Sequence, residues 1–460
     1  MDYSAANTQL WVYIIQIGII AGLLLLANML RRKIALIRNS LMPTSVLAGF
    51  ILLILRTVGV LNIATSTMEA MTYHALALGF IAMSLRIPTK DNNSGALIGS
   101  KSGALIVSTY LVQGLTGLII SLALAYTVRP DFFKAAGILL PMGYGQGPGQ
   151  ANNVGGTYEA LGMTGGRSFG LALAAAGFLC ACIVGVIYLN IFDRKKKLKR
   201  GSVRTMVSGS VTVDTFQDEN EIPVAESVDK LSVQVALVCV VYLITFLVTW
   251  GITSGLELIS PGLASSVSTI LWGFNFIVGS VVAMGCRSLF KALRKAKIMG
   301  RQYQNNYLLS RISGLAFDLM IVTGIASINF DDLAGLWLPF ILMAVAGGVV
   351  TFIYLRFMCN KLYPDYTYEG FFSMYGMLTG TISSGILLLR EIDPNYETPA
   401  ANNLVVGSSF GIIFGAPMLI LISMAGKGDI MVWLVFALIA IYLLLLLLFI
   451  FKVKGRKKVK

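Results

Sequence analysis

Two stretches of this chain combine residue types that can coordinate a small polar solute, and both lie within long apolar sequence. The first, residues 139–156, reads LLPMGYGQGPGQANNVGG. Glycines at Gly143, Gly145, Gly147 and Gly149 alternate with Gln146, Gln150, Asn152 and Asn153, and Pro141 and Pro148 interrupt them. The second, residues 375–385, reads YGMLTGTISSG, with hydroxyls on Thr379, Thr381, Ser383 and Ser384 between Gly376, Gly380 and Gly385. Such a density of glycine and proline predicts irregular backbone. Unwound backbone at membrane depth persists only where it is buried in protein or lines a wet cavity. There its free N–H and C=O groups can coordinate ions and carboxylates. The candidate solute-binding residues are therefore Gly145, Gln146, Gly147, Gly149, Gln150, Asn152 and Asn153 on the first stretch. On the second they are Thr379, Gly380, Thr381, Ser383 and Ser384.

Plainer readings compete with these. The first stretch could be a glycine-rich loop outside the membrane, and the second could be small-residue helix packing. The apolar, small-residue flanks at 132–142 and 160–170 argue against the loop. Four hydroxyls within six residues exceed what packing requires.

Asp318, in RISGLAFDLMIVTG, follows Arg311 by seven residues. A rise of ~1.5 Å per residue puts it about 10 Å into a bilayer. A carboxylate there costs roughly 2.5–3.5 kcal/mol unless it is paired or hydrated, so a role is expected for it. Either it helps hold a cation or it pairs with a basic residue elsewhere. The candidate ligands for such a cation are Asp318, Thr379, Thr381 and Ser384, a set of hard oxygens. His74 is the only histidine and cannot build a metal site alone. Arg390 either meets a substrate carboxylate or marks a membrane boundary. Gly145-Gln146-Gly147 lacks the third glycine and the strand–helix context of a dinucleotide fingerprint. With no nucleophile–base pair, phosphate loop or metal-ligand spacing, the chain is expected to be neither an enzyme nor a cofactor carrier.

The elements that must position these residues follow from composition. Of 460 residues, 56% are hydrophobic and 13% charged, and at least ten apolar runs are long enough to cross a bilayer. The fold class is an all-α polytopic membrane protein. The net charge of +14 gathers in a few loops and the tail, as cytoplasmic loops require, so nucleic acid is not an expected partner. Cys180, Cys182, Cys239, Cys286 and Cys359 lie in or beside apolar runs and form no disulfide framework. The first run exceeds a signal-peptide core and is followed by basic residues, so it is expected to stay in the mature chain.

Apolar spans are expected at 10–30, 41–60, 70–87, 102–128 and 163–192, with a re-entrant hairpin at about 133–160 before the fifth. Residues 193–230 form a polar linker, basic and then acidic, expected to be mobile and cytoplasmic. The second half, 231–425, repeats the order. Its spans fall at 231–250, 263–284, 312–328, 333–357 and 401–424, with a hairpin at about 367–391 before the last. Five is odd, so the two five-helix repeats have inverted topology. One extra span at 430–451 leads to a basic tail, within a final segment at 430–460. The positive-inside rule puts the N-terminus outside and the tail in the cytoplasm, although Arg129, Lys134 and Arg167 disagree with it. Trp11, Trp250, Trp337 and Trp433 fall at outer span ends, and Trp272 does not.

Inverted repeats with unwound elements in matching positions point to the substrate site of a secondary transporter. An ion channel shares the hydropathy but usually shows symmetric filter rings. A membrane enzyme would need a catalytic cluster, and none is visible. LPMGYGQGPGQANN, YGMLTGTISSG, the segment TYHALALGFIAMSL and the linker between halves together resemble the glutamate:sodium symporter family, over nearly the whole chain. The resemblance implies a glycine motif at each re-entrant tip, homodimers in the cytoplasmic (inner) membrane, and Na⁺-coupled symport of glutamate. It also implies an elevator-like movement of the hairpin-bearing domain. The Gly145-Gln146-Gly147-Pro148-Gly149 run stands where known members carry a GGHG-like run, and the second tip is richer in threonine. Substrate identity therefore stays open between glutamate and another carboxylate or amino acid.

Overall fold

The protein is described by a computed structural model covering residues 4, 7–87, 93–196, 224–259, 267–268, 271–300, 303–393 and 398–453. Every extended element among them is a helix, and none is a strand. In chain order the helices are α1 Thr8–Lys33, α2 Ala35–Asn39, α3 Thr44–Thr57, α4 Thr65–Leu85 and α5 Asn93–Thr127. Next come α6 Leu139–Tyr144, α7 Pro148–Ala160, α8 Gly166–Lys196, α9 Val224–Ile259 and α10 Asn275–Lys295. They are followed by α11 Asn306–Ala326, α12 Trp337–Leu362, α13 Thr367–Leu378, α14 Ile382–Arg390, α15 Ala400–Ala425 and α16 Asp429–Lys452.

Nine helices among the described residues are long and apolar enough to cross a membrane, and α15, bent by 43°, makes a tenth. With the shorter α3 they match the eleven expected apolar runs in order. The chain is thus a multi-pass, all-helical membrane protein.

Boundaries depart from expectation where local chemistry outweighs hydropathy. The second run was expected over 41–60, but α3 has 14 residues, about 21 Å at ~1.5 Å each. That falls short of a hydrocarbon core of roughly 30 Å. Pro43 stands at its N-cap, and Gly59 follows its end with φ +76°. The helix of the run expected at 263–284 continues past it to Lys295, so Arg287, Lys291, Arg294 and Lys295 sit on the helix. Lysine and arginine are good helix formers and favour a helix C-terminus. The expected linker is invaded at both ends, because α8 runs to Lys196 and α9 starts at Val224. Its middle, 197–223, and the basic tail at 454–460 lie outside the described residues, as does the start of the seventh expected run.

The helices form two compact units that cut across the sequence halves. One comprises Met1–Glu69, Asp91–Gly201 and Ile321–Lys460, and the other Ala70–Lys90 and Ser202–Met320. In the first unit, α5 packs against α12, α15 and α16, α7 packs against α8, and α13 against α14. Small residues permit the closest approaches. A methyl group on Gly117 of α5 would lie 2.0 Å from the Gly137 carbonyl oxygen. The second unit is built on buried Ile81, Leu85, Val238, Val241, Ala283 and Leu309. There the Ser313 hydroxyl donates to the Gly79 carbonyl at 3.0 Å, and His74 Nδ1 lies 2.6 Å from the Tyr242 hydroxyl. Trp11, Trp250, Trp337 and Trp433 are all exposed, as interfacial residues would be, while Trp272 is half-buried.

Candidate functional site

Both polar stretches are broken helices, and the breaks are shorter than the glycine content suggests. Residues 139–156 were expected to be irregular, yet only Gly145, Gln146 and Gly147 leave the helix between α6 and α7. Pro148 is tolerated because it occupies the first turn of α7, where no backbone N–H partner is needed. Gly155 serves packing: a methyl there would lie 2.6 Å from the Gly166 carbonyl oxygen on α8. In the second stretch only Thr379, Gly380 and Thr381 separate α13 from α14.

Each stretch doubles back. The Phe133 ring before the first break and the Tyr158 ring after it are 5.2 Å apart, so the chain climbs to the break and returns. In the second, a methyl on Gly376 of α13 would meet the Gly385 backbone of α14 at 2.8 Å. Both hairpins belong to the first unit, and their tips meet. The Gly147 methyl position lies 3.9 Å from the Gly380 carbonyl oxygen. Gly177 of α8 wedges between them, its methyl position 2.4 Å from the Thr379 carbonyl oxygen and 3.3 Å from Tyr144 Cα.

The tips are polar without being charged. No Lys, Arg, Asp or Glu occurs from 135 to 158 or from 370 to 389. Gln150, Asn152, Asn153, Thr379 and Ser384 are buried, Gln146 and Thr381 are half-buried, and Ser383 is exposed. Buried Gly149 completes the first turn of α7. The Thr379 hydroxyl donates to the Tyr375 carbonyl at 2.7 Å. Buried Gln150 Oε1, Asn152 Oδ1, Tyr375 Oη, Thr381 Oγ1 and Ser384 Oγ have no hydrogen-bond partner among the described residues. Buried polar atoms are normally satisfied, so such a concentration marks a place built for something beyond packing. Neither Gly147 nor Thr381, the N-cap residues of α7 and α14, caps its helix with a side chain. The first N–H groups of both helices therefore converge on one region with their positive dipole ends.

Asp318 lies on α11 in the second unit with its side chain exposed, whereas Thr379, Thr381 and Ser384 belong to the first unit. Arg390, at the C-terminal end of α14, is half-buried.

Sequence reasoning missed three features of the first unit. Gln113, fully buried on α5, donates from Nε2 to the Thr351 hydroxyl and to the Leu378 carbonyl, each at 2.9 Å. Its only signal was a lone amide within an apolar run. Tyr144 and Tyr375, each just before a hairpin glycine, are fully buried, and Tyr144 donates to the Ala344 carbonyl at 2.5 Å. At the base of the first hairpin, Arg167 pairs with Glu69 and with Glu159 (Nε to Oε2, 3.3 Å). Ser168 donates to Asp332 at 3.0 Å beside it. Lys134, at the other foot of the hairpin, pairs with Asp429 of α16, and that hydrogen bond pushes the lysine pKa upward. Arg167 and Lys134 were two of the three residues that broke the positive-inside pattern. Each faces a carboxylate.

No protein-family model matches the chain, and no curated protein sequence matches it.

Proposed function

We propose that this protein is a secondary active transporter that carries a small anionic solute across the cytoplasmic membrane by symport with Na⁺, with glutamate as the leading substrate. The observation that carries this reading is the meeting of two uncharged helical hairpins, one from each half of the sequence, over buried polar atoms that have no partner among the described residues. Each half supplies a matching order of helices, hairpin and helix, which supports two inverted repeats and the N-terminus outside, C-terminus inside orientation. Two uncapped helix N-termini and the hydroxyls of Thr381 and Ser384 suit a carboxylate, which needs N–H and O–H donors and no cationic side chain. An anion entering a negative-inside cell moves against about 2.3 kcal/mol per charge per 100 mV, so cations must accompany it. Hard oxygens at the second tip fit Na⁺. The grouping of both hairpins in one compact unit fits a moving, elevator-like body against a homodimeric scaffold.

The deciding experiment uses purified protein in liposomes with an inward Na⁺ gradient and labelled glutamate. The expected outcome is saturable accumulation that disappears when the Na⁺ gradient is dissipated. Uptake of another carboxylate but not glutamate would keep the class and change the substrate. Unitary currents in a planar bilayer without saturable uptake would replace the reading with an ion channel. An Asp318→Asn variant with the wild-type rate and Na⁺ dependence would remove Asp318 from the ion site.

A further inference from the structure

Gln113 joins the two hairpins at the level of their breaks. Its Nε2 donates to the carbonyl of Leu378, the last residue of α13, and to the Thr351 hydroxyl of α12. A carbonyl cannot donate, so the first of these bonds fixes the orientation of the amide: NH₂ faces the second hairpin and Oε1 faces away from it. Oε1 is directed toward the first hairpin, where a methyl on Gly145 would lie 2.8 Å from it. No donor among the described residues reaches that oxygen, although Gln113 is 0% exposed. Two residues beyond Gly145 on one arm and Leu378 on the other, Gly147 meets the Gly380 carbonyl. The unsatisfied acceptor thus sits beside the crossing of the tips.

The unpartnered atoms divide by chemistry. Those of the second hairpin (Tyr375, Thr381 and Ser384) are hydroxyls, which donate as well as accept, and a carboxylate satisfies them. That of Gln113 is an amide oxygen, held in place by the Leu378 carbonyl, and it only accepts. A ligand made of carboxylates alone offers this oxygen nothing. One that also bears an ammonium group offers up to three N–H donors.

We infer that Gln113 is a specificity-determining residue whose Oε1 accepts a hydrogen bond from the ammonium group of an α-amino acid. The site then favours an anionic amino acid over the dicarboxylate of equal length that lacks the amine. This rests on the transport reading above. The backbone at the break makes it possible, since any side chain at position 145 would collide with Oε1 and with the Tyr110 ring.

The test compares glutamate with glutarate in proteoliposomes under an inward Na⁺ gradient, reading the KM for labelled glutamate and the inhibition constant of glutarate. Gln113→Leu is expected to raise the glutamate KM roughly 10- to 100-fold, the weight of one hydrogen bond to a charged group. The glutarate constant should change by less than about 3-fold, a difference smaller than the contribution of one such bond. Gln113→Met, of similar length and without either amide atom, replaces the leucine variant if that one does not fold. Thr351→Val removes one support of the same side chain and leaves the acceptor in place, so it should shift both ligands by a common factor. If the Gln113 variants also weaken both ligands equally, Gln113 is a strut between hairpins and the inference is overturned. An unchanged glutamate KM overturns it too. Folded wild-type protein that takes up no carboxylate under the gradient brings down the transport reading itself, an outcome distinct from either of these.

Discussion

The two hairpins reach a common point by opposite means. At the first tip the constraint is conformational. Gly147 holds φ +88° and ψ −176°, a combination essentially confined to glycine, yet only the Gly380 carbonyl oxygen, at 3.9 Å, comes near its methyl position. At the second tip the constraint is space. Thr381 has ordinary extended backbone, while a methyl on Gly380 would lie 3.0 Å from the Ser384 hydroxyl and 3.1 Å from the Phe178 ring. Their bases differ as well. The first hairpin is tied by Arg167 to Glu69 and Glu159 and by Lys134 to Asp429. Around the second, Asn403 donates to the Tyr366 hydroxyl at 2.7 Å, Thr398 donates to the Asp393 carboxylate at 2.6 Å, and the Arg356 guanidinium lies 4.8 Å from the centre of the Tyr368 ring. This contrast teaches that the first hairpin is anchored at its foot and strained at its apex, whereas the second is packed along its length.

Four substitutions break or sharpen that contrast. The largest effect is expected from Gly147→Val, which demands glycine-only dihedrals of a β-branched residue at a cost of several kcal/mol. Uptake in proteoliposomes should fall more than about 100-fold while expression and membrane insertion persist, because the strain is confined to the tip. Normal transport by this variant would make the tips packing elements and nothing more.

Arg167→Gln comes next. It leaves Glu69 and Glu159 facing each other without their cation, and the arginine side chain is 39% exposed, so a loss of about 1–3 kcal/mol is expected. A lower unfolding midpoint in detergent would register it, and adding Glu69→Gln should restore part of the loss. A stability unchanged from wild type would mean that the first hairpin is not clamped by charge.

Thr381→Val at the second tip removes a buried hydroxyl whose lone pairs and proton are uncommitted. Its expected consequence is a KM for substrate or Na⁺ raised by roughly 2- to 10-fold, the range of one neutral hydrogen bond. Maximal rate should be retained. A collapse of rate at constant KM would instead mark Thr381 as structural.

The smallest effect belongs to Asp429→Asn. Its side chain is 64% exposed, and its bond to Lys134 is a surface ion pair of the kind worth less than about 1 kcal/mol. The shift in midpoint should shrink further in high salt. If it matched the effect of Arg167→Gln, the two feet of the first hairpin would be equally important.

Much of this was legible in the sequence because glycine, proline and hydroxyl residues report directly on backbone. The positions of both breaks, the eleven apolar runs and the concentration of amides on one tip and hydroxyls on the other were all visible. The extent of irregularity at residues 139–156 was not, because Pro148 disrupts a helix interior but starts a helix well, and sequence alone does not distinguish the two positions. Gln113 escaped notice since a neutral amide in an apolar run carries no periodicity or spacing signal. Its meaning comes from Thr351 and Leu378, more than 230 positions away. The Arg167 cluster was hidden for the same reason: its partners are Glu159, eight residues off, and Glu69, 98 residues off. The two compact units were likewise invisible, because hydropathy reports how deep a helix lies and not which helices touch.

The packing of α16 against α5 bears on how the protein is made. Leu111 of α5 and Ile439 of α16 line one small apolar cavity. Some 330 positions separate α5 from this partner, so at about 5–20 residues per second synthesis alone imposes a wait of roughly 15–65 s. For the first 238 positions of that stretch α5 carries Gln113 into the bilayer before either Thr351 or Leu378 exists to receive its amide protons. The growing chain must therefore shelter a polar group that only the later half can satisfy, which makes the early half a natural client of whatever machinery escorts helices into the membrane.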